Sequence, residues 1–283
     1  MFPTPIQNYS LKVNIAYRLL LLLTLIVWLL PIIAVMLTSM RTFDDVLLGN
    51  YWTFPKETAL ISNYAAVFEG GKMGRFFFNS LIITLPTVCG TLFLSSLAGY
   101  SLAMHRFKLN FLVFAMFIAG NFVPYQILMI PVRNISIEMG MYNTHLGLII
   151  FHIAFQTGFC TFFLRNFIKD LPFELIEAAR ADGATEWIIY KKIILPLIIP
   201  ALAALGVLEF TFIWNDYFWA LVLTQGDTVK PITLGLQGLK GEWITSWNLI
   251  SAGSVVAALP PVIMFFILQK QFIQGLTYGA VKG

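Results

Sequence analysis

Six stretches of about 20 residues or more, nearly free of charge, recur along the sequence at approximately 17–38, 77–100, 109–131, 145–165, 197–223 and 249–269. A helix rises 1.5 Å per residue, so a run of this length crosses a hydrocarbon core about 30 Å thick. Backbone N–H and C=O groups find no water there and must pair within the segment, which a helix does. The pattern predicts an all-α membrane protein with six transmembrane helices, and residues 1–283 read as one transmembrane domain. Composition agrees, with 58% hydrophobic and 11% charged residues and a mean hydropathy of +0.80, outside the range of soluble globular chains. The first stretch is too long for a signal peptide and has no small-x-small cleavage site before Thr38-Ser39-Met40, so it is expected to stay as an anchor.

Basic residues set the expected orientation. With both termini on the cytoplasmic side, eleven of the 18 Lys and Arg residues fall inside, among them Lys12, Arg18, Arg106, Lys108, Arg165, Lys169, Arg180, Lys191 and Lys192. This is the direction of the positive-inside tendency. The same placement puts residues 166–196 in the cytoplasm, where ATP is. The net charge of +4 then reflects a basic face beside anionic lipid, and no basic patch interleaved with aromatics calls for nucleic acid.

Few residues suggest chemistry of their own. Cys89 and Cys160 lie inside expected spans, where small apolar packing is the simplest role. His105, His145 and His152 are too scattered for a metal site, and neither a Gly-x-Ser-x-Gly elbow nor a Gly-x-x-x-x-Gly-Lys-[Ser/Thr] phosphate loop occurs. Catalytic residues, a metal and a cofactor are therefore not expected in this chain.

One polar segment interrupts the apolar pattern: Glu177-Ala178-Ala179, then Asp182-Gly183-Ala184, then Ile193 and Leu195-Pro196. Pro172 suits the first turn of a short helix ending at Ala181. Gly183 stops it, and Thr185 to Lys192 form a second helical stretch. Ala178 and Ala179 would let a partner approach the helix backbone, while Glu177 and Arg180 offer charge-assisted hydrogen bonds. The same residues also suit an amphipathic helix lying at the interface.

Glu209 and Asp216, seven residues apart in the fifth stretch, are expected to line one face of a single helix, with Asp216 about 10 Å further toward the outside. Ionisable groups at membrane depth face a bundle interior or a wet cavity. Trp214, Asn215, Asp216 and Trp219 would supply the aromatic surface and hydrogen-bonding groups that a polyol needs, or Asn215 and Asp216 would bridge neighbouring helices. Asn121 and Gln156 are further candidates for the solute pathway, with helix packing as the other reading. Pro124 and Pro131 beside Asn121 permit local unwinding. Outside the membrane, residues 39–76 read as a long loop rich in turns, and residues 225–247 as a glycine-rich segment carrying Trp243 and Trp247.

The Glu177–Pro196 pattern resembles the cytoplasmic signature loop of ABC-importer permeases. Trp214-Asn215-Asp216 with Leu221 and Leu223, and the ending Gly275-Leu276-Thr277 and Gly279-Ala280-Val281-Lys282-Gly283, resemble the carbohydrate-uptake branch of maltose type. The resemblance implies the type I permease fold. It implies that Glu177, Ala178, Ala179, Asp182 and Gly183 dock as a coupling helix on an ATPase dimer, which binds ATP and Mg. A second permease subunit, of different sequence in a heterodimer, and an external solute-binding protein are the other implied partners, in the bacterial inner membrane. An ABC permease for a non-sugar solute, or an ion-coupled carrier using Glu209 and Asp216, are the alternatives, although no inverted repeats are evident. Trp187 and the Lys191-Lys192 pair have no place in the pattern.

Overall fold

The computed structural model describes residues 10–240 and 245–277, with side chains through residue 270. Trp243, Gly241 and the ending Gly279–Gly283 lie outside the described residues. Contacts gather into two compact units, Met1–Gly71 with Gly238–Val256, and Lys72–Gln237 with Ala257–Gly283.

The first unit opens with α1 (Leu11–Ser39), which is apolar on every side and exposed along most of its length. The segment expected as a loop after it contains two short helices instead, α2 (Phe43–Leu47) and α3 (Leu60–Glu69). Thr42 starts α2 by accepting the N–H of Asp45, the capping role for which a hydroxyl is favoured. A buried polar knot fixes the segment. The Asn63 amide donates to the carbonyls of Ser39 and Arg41 at 2.9 and 2.8 Å and accepts from Asn248 at 3.0 Å. The buried Arg41 pairs with Asp45 and with the carbonyl of Thr53.

The second unit runs from α4 (Met73–Met104) and α5 (Asn110–Gly120) through a tight turn at Tyr125–Leu128 to α6 (Met129–Glu138) and α7 (His145–Lys169). Next come α8 (Phe173–Ala181) and α9 (Glu186–Ile189), a widened π turn at Tyr190–Ile194, α10 (Leu195–Leu197), α11 (Ile199–Trp214), α12 (Phe218–Leu223) and α13 (Ile232–Gly235). Helix α14 (Trp247–Thr277) contributes residues to each unit. Its backbone is helical through Thr277.

Helices α4 and α7 are the centre of this unit. A Cβ on Gly90 would meet Ile153, Ser95 donates to the carbonyl of Thr157, and a Cβ on Gly99 would meet Leu164 and Arg165. Residue numbers rise together on both sides, so the two helices run parallel, packed closely through small residues as membrane helices do. Two parallel crossings of one bilayer require a return crossing between them. The pair formed by Asn110–Gly120 and Tyr125–Glu138, bent by 89°, therefore makes up one broken span.

The third and fifth expected spans are thus not straight. The third breaks where Asn121 to Pro124 interrupt it. The fifth bends by 70° between Leu197 and Ile199, because Pro200 has no N–H for the carbonyl of Pro196 and Pro196 has none for that of Lys192. It then stops at Trp214, well short of residue 223. Four unbroken helices are long and apolar enough to cross a membrane, and with each bent pair taken as one span the described residues give six.

Candidate coupling surface and solute cavity

The α8 segment is built as an exposed face on a buried foot. Pro172 stands just before the helix, Glu174 occupies its first turn and Arg180 its last, which complements the helix dipole at both ends. Gly183 ends it in a left-handed conformation with φ of +80°. The N–H of Gly183 reaches the carbonyl of Arg180, and that of Ala184 the carbonyl of Ala179, both at 3.0 Å. That pair of bonds is a Schellman stop, which favours glycine at the left-handed position. Thr185 then caps α9 through Ile188 N–H at 3.4 Å. Ile176 and Ile189 are buried in a cluster with Leu164, Ile168 and Tyr190. Glu177, Ala178, Asp182 and Gly183 remain exposed on the other side, while Ala179 is half-buried and leans toward the cluster.

Arg180 differs from expectation. Its guanidinium bonds Glu186 through Nε at 2.8 Å and Nη2 at 3.2 Å, and that carboxylate raises the Arg180 pKa above its ordinary range. It is therefore already paired within the chain. Glu186, which belongs to no motif in the sequence, also accepts the Tyr100 hydroxyl at 2.6 Å and stands 3.2 Å from Nε2 of His105. A long-range contact of this kind leaves no local pattern to find.

A cavity of about 550 Å³ opens in the second unit. The Asn121–Pro124 break, the middle of α7 and the Asn215–Tyr217 break supply its wall, with Asn121, Gln156, Asn215 and Asp216 together on the lining. Its aromatic surface comes from Tyr125, Phe155, Phe159, Phe212, Tyr217, Phe218 and Trp219. Phe212, Tyr125 and Tyr217 are the more open of these, at 60%, 40% and 38% exposure, whereas Trp219 is buried at 4%. Trp219 packs 4.1 Å from the Phe151 ring, centroid to centroid. No Lys or Arg lines the cavity among the described residues.

Asp216 and Glu209 do not share a helical face, contrary to expectation, since α11 ends between them. Asn215 follows the last turn, its amide donating to the Thr211 carbonyl at 2.9 Å. Asp216 begins the next helix by accepting N–H groups of Trp219 and Ala220 at 3.3 and 3.0 Å. Adjacent Asn and Asp side chains offer the backbone an alternative to a continuous helix. Glu209 is fully buried away from the lining, with the Cys160 thiol 3.2 Å from Oε1. Trp214 is also off the lining, its Nε1 donating to the Ala257 carbonyl at 2.9 Å and its ring stacked on Phe210. His152, too far from the other histidines in sequence to suggest a metal site, is on the cavity wall.

Broken spans around a polar, aromatic-lined chamber define a polytopic helical transport subunit. The model of the family described as "Binding-protein-dependent transport system inner membrane component" matches residues 91–278, and the chain belongs to this family. It is 35% identical over 262 residues to the osmoprotective compounds uptake permease protein GgtD of Synechocystis sp., covering 90% of this chain and 88% of that one. It is 32% identical to the arabinooligosaccharides transport system permease protein AraQ of Bacillus subtilis, over 95% and 96% of the two chains. The fold matches a chain of a bacterial ABC transporter involved in import of the acidic polysaccharide alginate, with a TM-score of 0.81, 24% identity and coverage of 95% of this chain and 100% of that one. The protein is thus a multi-pass inner-membrane permease of the ABC-importer class, which sets the ion-coupled alternative aside.

Proposed function

We propose that this chain forms half of the solute pathway of an ATP-driven importer for a sugar or sugar derivative. The cavity carries the proposal. Its amides and carboxylate offer donors and acceptors to hydroxyl groups, and its open aromatic faces suit the C–H faces of a pyranose ring. A volume near 550 Å³ accommodates a small ligand. Among the described residues Asp216 and His152 are the lining's only titratable groups apart from tyrosines, and such a lining suits neutral solutes better than anionic ones. A small osmoprotective solute is the second reading, favoured by the 35% identity to GgtD.

The exposed face of α8, with Glu177, Ala178, Asp182 and Gly183, docks into an ATPase dimer that binds ATP and Mg, and Ala179 packs beneath it. A second permease subunit of different sequence completes the pathway, and an external solute-binding protein delivers the solute. Both termini lie in the cytoplasm. Closure of the ATPase pair moves α8 and alternates access to the cavity, the two permease subunits being the bistable element.

A ligand screen on the cognate solute-binding protein, followed by uptake in vesicles, tests the substrate class. Stabilisation by sugars or polyols and ATP-dependent uptake of the same compounds are expected. Binding confined to peptides or phosphonates would overturn the reading.

A further inference from the structure

The turn from Asp182 to Thr185 is the covalent joint between α8 and the helical stretch that follows it, and a glycine in left-handed conformation sits at its centre. Such a joint transmits motion poorly unless something crosses it. Arg180 and Glu186 do so with the two hydrogen bonds already described. The same carboxylate continues to α4 through Tyr100, which is 5% exposed and close to the α4 end at Met104. His105, the residue after α4, faces the same oxygen and packs edge-on against the Tyr100 ring at 5.6 Å between centroids. A second tie lies one turn back, where Ser96 of α4 and the Tyr190 hydroxyl are 2.7 Å apart.

At its other end α4 reaches the wall of the solute cavity. Ser80, Ile83 and Thr84 border a small void together with His152 and Asp216, two residues of the cavity lining. Helix α4 is one 32-residue element connecting the two regions.

We infer that Glu186 is a positioning residue for energy coupling: by holding Arg180 and Tyr100 on one carboxylate, it makes α8 and α4 move as one body and carries docking motion to the cavity. The inference rests on the docking role proposed for α8. It assigns Glu186 no contact with solute or with ATP.

The test uses the complete transporter in proteoliposomes, measuring ATP hydrolysis stimulated by the loaded solute-binding protein and solute taken up per ATP hydrolysed. Glu186→Gln is expected to keep hydrolysis within about twofold while lowering solute per ATP by at least about fivefold, the lower end of typical couplings between sites. Tyr100→Phe, which preserves the ring packing and removes only the hydroxyl, is expected to shift the same ratio in the same direction. The double variant should do little more damage than the worse single one, because both act on one contact. Glu186→Asp should recover part of the ratio.

Glu177→Lys, on the exposed face, separates this inference from the reading beneath it. If Glu177→Lys uncouples the transporter while Glu186→Gln and Tyr100→Phe retain a normal ratio, the inference is overturned and the docking role stands. Normal coupling in Glu177→Lys overturns the docking role itself. Loss of uptake and hydrolysis in proportion by the Glu186 and Tyr100 variants would mean lost assembly rather than lost transmission, and would also overturn the inference. Should Glu186→Gln fail to assemble, Tyr100→Phe decides alone.

Discussion

Oδ2 of Asp216 stands 3.6 Å from Nε2 of His152 and accepts the N–H of Ala220 at 3.0 Å, so one carboxylate joins the cavity wall on α7 to the start of α12. Asp216→Asn keeps an acceptor for the helix start, and Asp216→Ala removes it at a cost of about 1 kcal/mol. The asparagine variant is expected to assemble normally and take up solute with a half-saturating concentration raised several-fold. The alanine variant should also unfold at lower temperature. Uptake titrations and thermal melts of the purified complex measure the two effects separately, and unchanged half-saturation in both variants would remove Asp216 from the solute contacts.

Trp214 gives the opposite expectation, since its indole is packed in the protein and not on the lining. Trp214→Phe retains most of the ring contact with Phe210 and loses the hydrogen bond to Ala257. The unpaired buried carbonyl should lower stability by about 1–3 kcal/mol. Half-saturation for solute should stay within about twofold, a change worth less than 0.5 kcal/mol. A large rise in half-saturation without loss of stability would return Trp214 to the pathway.

Asp227 lies between Lys230 at 2.7 Å and Lys72 at 2.9 Å, and their hydrogen bonds hold its carboxyl at about 2, below the ordinary 3.8. A depressed folded-state pKa gives stability that is complete above the ordinary value and lost as pH falls through the folded one. Asp227→Asn should therefore be less stable than the parent at neutral pH, by under about 1 kcal/mol because solvent screens so exposed a cluster. The difference should narrow as pH drops from about 4 toward 2, as followed by paired melts across that range. A constant difference would mean that the amide disturbs packing rather than charge.

Much of this architecture is legible in the sequence, and the parts that are not share a cause. Runs of apolar residues announce spans such as α4 and α7, because burial in lipid demands length and composition and little else. The prolines beside Asn121 marked the first break, but the same averaging hid the one at Asn215 to Asp216, where two polar residues in a long apolar window outweigh it locally and Asp216 accepts the first N–H groups of α12. Gly183 as a helix stop was readable, since its cap uses only neighbours in the chain. The cavity membership of Asn121, Gln156, Asn215 and Asp216 followed from their polarity at membrane depth, and Glu209 and Trp214 satisfied the same criterion while facing elsewhere. Which way a side chain points depends on helix breaks and neighbours. The Tyr100–Glu186 contact joins residues 86 positions apart, and no periodicity encodes it.

In the function proposed above, the docked α8 face transmits ATP hydrolysis to solute movement. Solute uptake and ATP hydrolysis measured together in proteoliposomes containing the complete transporter with Gly183→Asp test it most directly. Gly183 is exposed, and nothing lies within 4 Å of the position a Cβ would take, so added bulk and charge would meet a docked partner, while the φ of +80° adds a backbone strain that Asp tolerates better than most residues and that thermal melts of the variant measure separately. A normally inserted protein is expected whose uptake falls at least about tenfold, a loss of about 1.4 kcal/mol in coupling, while ATP hydrolysis no longer responds to the loaded solute-binding protein. Uptake at the parent's rate by a fully inserted Gly183→Asp transporter would contradict it.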